Sequence, residues 1–137
     1  MFTKKILAIG LMSLTIFLTG CGKSHDAAVT GLIDHPHKMT FPIGTVMTVQ
    51  IVDSTVGRSL GKQIAQEVIK DQEIGIPMPF VVVYDQGKIN KNHVYSISVR
   101  IEDSNGKPLY TNEKEIPVIT NGTPRQGIDV IVVLVHG

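Results

Sequence analysis

One cysteine stands in 137 residues, the charges of the two signs nearly cancel, and the apolar runs are short. A lone Cys21 cannot form an internal disulfide, so no covalent staple holds the fold. Its only close metal-ligating neighbour is His25, too few for a site. A nucleophile needs a base held by a packed fold, and the small and polar stretch LTGCGKSHD, Leu18 to Asp26, offers none. Thirteen Lys plus Arg against twelve Asp plus Glu leave a formal net charge of +1, so nothing steers the protein towards nucleic acid. No Gly-x-Ser-x-Gly elbow, no suggestively spaced carboxylate pair, no internal repeat and no low-complexity block occurs. The expectation is a protein that is not an enzyme, with no catalytic residues, no cofactor and no metal.

Three weaker patterns point the same way. Gly57, Gly61 and Lys62 echo a phosphate loop, but only three residues separate the glycines, and Gln63 stands where Ser or Thr must hold Mg²⁺. His35 and His37 flank Pro36 and could share one side of an extended strand, yet two ligands make only an adventitious metal site. Asn121, Gly122 and Thr123 form a glycosylation sequon, read here as a turn and nothing more.

What is present begins at the amino terminus. Lys4 and Lys5 precede Ile6 to Leu18, an apolar run interrupted only by small or hydroxyl residues, too short to span a bilayer and suited to a secretory signal. It ends in Leu18, Thr19, Gly20, Cys21, which resembles the lipobox of bacterial lipoproteins. The resemblance implies cleavage between Gly20 and Cys21 and acylation of the Cys21 thiol. At about 0.8 kcal/mol per buried CH₂, two or three acyl chains anchor a domain firmly where one holds it marginally. Gly22 follows the cysteine where an Asp would signal inner-membrane retention, so the expected location is the periplasmic side of the outer membrane, or the outer face of the cell membrane if the organism has no outer membrane. The organisation read from this is a signal peptide over 1–20, a lipidated tether over 21–26 and one domain over 27–137. Loss of both signal lysines changes the formal net charge to −1, and the mature chain is long enough for one modest core.

That domain reads as all-β. Met47, Val49 and Ile51 alternate with Thr48, Gln50 and Val52; Phe80, Val82 and Tyr84 with Val81 and Val83; Tyr95, Ile97, Val99 and Ile101 with Ser96, Ser98 and Arg100. Asn105 and Gly106 offer the positive φ of a tight hairpin, which folds Leu109 to Thr111 back on the preceding strand. Ile128 to Val135 is apolar on both parities after Asp129, the pattern of a strand inside a sheet. Leu60, Ile64 and Val68 recur every four residues as on a helix, while Ala65, Glu67 and Ile69 offer a strand; the surrounding short strands favour the strand. Pro77 and Pro79 remove donors from one lateral side of their strand, predicting an edge or bulge there. Asp85, Ile89 and Tyr95 have the spacing of a tyrosine corner, with an ordinary core aromatic as the alternative for Tyr95.

Over nearly all of Val29 to Val135 the motifs resemble a known family. VTGLIDHPHKMTFPIGTVMTVQIVD and IPMPFVVVYDQGKINKNHVYSISVRIEDSNGKPLY are similar to YbaY-type lipoproteins, the group that includes the YscW lipoprotein of type III secretion. The resemblance implies a small antiparallel β-sandwich, immunoglobulin-like or transthyretin-like, of seven or eight strands. It implies a non-enzymatic, membrane-anchored binding or chaperone module with an envelope protein as partner. The alternatives are a pilotin, which escorts a secretin subunit to its assembly site, and a small cell-wall-active enzyme or inhibitor.

Overall fold

In the computed structural model residues 25–56 and 61–136 are described. Ten strands occur among them: β1 (Asp26–Asp34), β2 (Met39–Phe41), β3 (Val46–Asp53), β4 (Lys62–Ile69), β5 (Ile74–Ile76), β6 (Met78–Asp85), β7 (Tyr95–Glu102), β8 (Pro108–Asn112), β9 (Ile116–Val118) and β10 (Ile128–Leu134). One 3₁₀ turn, Gln86–Lys88, follows β6, and no α-helix occurs among the described residues. Cys21, Gly20 and the rest of the leader lie outside the described residues, as does Leu60.

The all-β expectation holds, but the architecture differs from a two-sheet sandwich. A single eight-stranded sheet runs β4-β3-β7-β8-β10-β1-β6, with β9 also on β7, and β4 and β6 at its two ends come into contact. The result is a nearly closed barrel. Register shifts at Ile51/Val52 and Ile101/Glu102 are the local cause. A bulge bends its strand and increases the twist, so the sheet coils around one core instead of splitting in two. The ladder between β1 and β10 is parallel, another departure from the expected antiparallel pattern.

The core follows the strand alternation. Met47, Val49 and Ile51 of β3 stand opposite Ile101, Val99 and Ile97 of β7, and all six are buried. Val29 and Ile33 of β1 join Phe80, Val82 and Tyr84 of β6 from the other wall. Gly31 lies between them for a steric reason: a Cβ there would fall 2.0 Å from the Ile128 carbonyl oxygen and 2.8 Å from the Phe80 ring. The glycine of the VTG motif is therefore a packing requirement. A two-stranded ladder of β2 and β5 brings Phe41, Ile74 and Ile76 into the same core.

Two sequence expectations are met in detail. β10, apolar on both parities, lies between β8 and β1, and β6, with Pro79, is the last strand of the sheet. The ambiguous segment is strand β4 over 62–69. Ala65, Glu67 and Ile69 pair with buried β3 residues, whereas Ile64 falls where the register shifts and Val68 is 41% exposed. A bulge had imitated a helical period. The β7–β8 hairpin forms as expected but its turn is longer than two residues: only Gly106 has positive φ, and the Asp103 carboxylate accepts from the backbone N–H groups of Asn105 and Lys107. A carboxylate that holds the loop removes the need for the left-handed Asn-Gly pair.

Candidate functional site

At one end of the barrel β1 begins, β6 ends, β3 ends and β7 begins, because Asp26 is opposite Asp85 and Asp53 opposite Tyr95. We call this the tether end. Here the Asp53 carboxylate accepts from the His93 ring, Nδ1 to Oδ2 2.6 Å, and from the Thr55 hydroxyl and backbone N–H. Burial pushes the Asp53 carboxyl up, but hydrogen bonds from Thr55 and His93, with the nearby His93 charge, outweigh it and hold the group below its ordinary value. The His93 ring stacks on Tyr95 at 6.4 Å, and its carbonyl accepts from the Thr120 hydroxyl. No hydroxyl or thiol among the described residues bonds the imidazole, so the pair lacks a nucleophile to activate. It clamps the β3–β7 end. Tyr95 is buried, and its hydroxyl accepts from the Asn90 N–H, five residues upstream, at 2.8 Å.

The remaining candidates from the sequence stay apart. His35 and His37 sit in the β1–β2 turn with rings 5.8 Å apart, and the His35 Nδ1 accepts from the His37 N–H. Among the described residues no three His, Cys, Asp or Glu side chains gather as a metal site. Lys62 opens a strand and not a helix, which leaves the Gly61–Lys62 pair without the helix N-terminus a phosphate loop needs; Gly57 lies outside the described residues. Asn121 and Gly122 both have positive φ and form a turn.

The more distinctive surface is the seam where β4 meets β6. The Val81 N–H of β6 donates to Glu67 Oε1 of β4, 3.0 Å, a side chain replacing a ladder. Backbone donors two residues apart share a lateral side, so Pro79 faces the same seam and contributes no donor. Outside the seam, Val68, Val81 and Val83 are 41%, 47% and 55% exposed. Towards the tether end the seam widens into a cleft lined by Lys62, Gln63, Ile64 and Lys88. A second, smaller cleft beside it is lined by Tyr84, Gln86, Ile89, Lys91, Ile119 and Arg125. None of these pairings was visible in sequence: Glu67 and Val81 are fourteen residues apart and Asp53 and His93 forty.

A small, nearly closed β-barrel with an open seam, and with no catalytic set assembled among the described residues, fits the class of proteins that act through a surface. The comparisons with known proteins agree. The model of the type III secretion system lipoprotein chaperone (YscW) family matches residues 24–130, and the chain belongs to that family. Among solved structures it is similar to an alternative pilotin from the type II secretion system of Vibrio cholerae, with 26% identity, a TM-score of 0.72, and coverage of 82% of this chain and 99% of that one. No curated protein matches the chain. The family is one of lipoprotein chaperones, and the protein is not an enzyme.

Proposed function

We propose that the protein is a pilotin: a lipoprotein of the outer membrane, acylated on Cys21 after cleavage at Gly20, that binds a secretin subunit and escorts it to its assembly site. The observation that carries this reading is that the chaperone family model runs from the tether into β10, while a pilotin shares the fold over most of the chain. This reverses the order in which the sequence ranked a general envelope module and a pilotin. It also leaves no support for a cell-wall enzyme. The lipobox-like Leu18 to Cys21 supports the lipid anchor and the 21–26 tether, and the motifs over Val29 to Val135 support one domain over 27–137.

Binding falls to the β4–β6 seam, where solvent reaches unladdered strand edges and three exposed valines. Pro79 and the occupied Val81 N–H discourage a strand from pairing with β6 itself, so a secretin segment docks across the valines or on the β4 edge. A photo-crosslinking residue at Val83 in whole cells should capture a secretin, and one at Lys107, in the hairpin at the opposite end, should not. Seam positions that capture no secretin in cells where the secretin is expressed would overturn the reading.

A further inference from the structure

Tyr84, buried near the end of β6, lies at the tether end. The residue is 3% exposed, and its hydroxyl finds no hydrogen-bond partner among the described residues. A buried hydroxyl left this way is unfavourable and uncommon, which points to a partner from outside the chain. Tyr84 lines the smaller cleft with Gln86, Ile89, Lys91, Ile119 and Arg125. Two of these are cations and none is an acid, so the cleft selects for a negative group. Its volume is ≈ 130 Å³, room for a small group such as a single tetrahedral oxyanion. Ile119, one wall, holds φ at +75°, a conformation a β-branched residue adopts only under strain, and strain of this kind gathers at ligand clamps.

The position of the cleft indicates the source of the oxyanion. Gln86 donates its N–H to the His25 carbonyl at 2.8 Å, so the chain leaves for Cys21 beside the cleft. Three residues separate His25 from Cys21, so four Cα–Cα steps give a reach of at most about 14 Å. On the same end Val56 is 76% exposed and Val94 38%, apolar groups suited to a bilayer interface, and Lys62 and Lys88 line the adjoining cleft. We propose that the Tyr84 cleft binds the phosphate of a phospholipid headgroup, with the Tyr84 hydroxyl, Lys91 and Arg125 as donors, and so fixes the tether end of the barrel on the membrane. This rests on the anchoring reading above. The bound orientation turns the β4–β6 seam sideways to the membrane, open to a partner in the periplasm.

The test is a titration of the isotopically labelled full chain in a phosphate-free maltoside detergent with dihexanoyl phosphatidylglycerol, followed by NMR. Saturable shifts at Tyr84, Gln86 and Ile119 are expected. Tyr84→Phe should weaken binding several-fold and the Lys91→Gln/Arg125→Gln pair about tenfold or more, since charge-assisted bonds are the stronger ones. Tyr84→Phe also removes an unpartnered group, so it should melt no lower than the wild type, which separates lost binding from lost folding. Inorganic phosphate binding as tightly as the lipid would overturn the membrane source, as would preferential binding of a peptide carboxylate; no shift at these residues would overturn the site. The lipid is supplied in solution, so the result is independent of whether Cys21 is acylated, which the mass of the mature amino terminus reads separately.

Discussion

Around most of the barrel each strand is held on both sides by backbone ladders, whereas β4 and β6 meet through the Glu67 side chain. β7 shows the first regime most fully. It pairs with β3 along its whole length, with β8 at one end and β9 at the other. Between those two partners the ladder is continued by the buried Asn112, which accepts from the Val99 N–H at 3.0 Å and donates to the Lys114 carbonyl at 2.8 Å. A side chain there completes the ladder; at the seam a side chain is most of what there is. The difference separates two tasks, because a laddered wall provides stability while a seam of low pairing can receive a partner without unfolding the core.

Substitutions rank the two regimes. Gly31→Ala should be the most damaging, because its Cβ would overlap the Ile128 carbonyl and the Phe80 ring; we expect roughly 3 kcal/mol or more, read from chemical denaturation. If it were neutral, the β10–β1–β6 wall would be far more compliant than its packing indicates. Asn112→Ala should follow, at about 2–3 kcal/mol, since it strands the buried Val99 N–H between β8 and β9.

At the tether end Asp53→Asn should cost about 1–2 kcal/mol near neutrality, from the weakened bonds to His93 and Thr55. The folded Asp53 lies below its unfolded value of about 4, so its stabilisation is complete above that pH and fades as pH falls through the lower folded value. The stability gap between wild type and Asp53→Asn should therefore be flat at neutral pH and close in acid; a gap that widened in acid would contradict the sign. The smallest global effect belongs to the seam. Glu67→Ala should cost no more than about 1 kcal/mol yet sharply accelerate hydrogen exchange at the Val81 amide, leaving Val99 protected. Equal acceleration at both would mean that seam and wall open together.

The legibility of the sequence follows the same division. Strict alternation made β3, β6 and β7 readable, and the doubly apolar run of β10 announced its inner position, because burial of one or both faces is a local signal. The prolines announced the β6 edge through the donors they lack. β4 was harder, since its register shift brought Ile64 and Val68 into an apparent helical spacing. The closure of the sheet into a barrel, the Glu67–Val81 bridge, the Asp53–His93 clamp and the Tyr84 cleft all join residues that only the coiled sheet brings together. No composition or period carries such pairings.

Secretin assembly in the living envelope tests the pilotin reading most directly. Membranes from cells with the gene deleted, restored, or restored as Cys21→Ser should be compared for detergent-resistant secretin multimers in the outer-membrane fraction. Deletion and Cys21→Ser should leave the secretin unassembled or in the wrong membrane, and the wild-type gene should return it. Multimers of unchanged yield and location in the deletion strain would contradict the pilotin function.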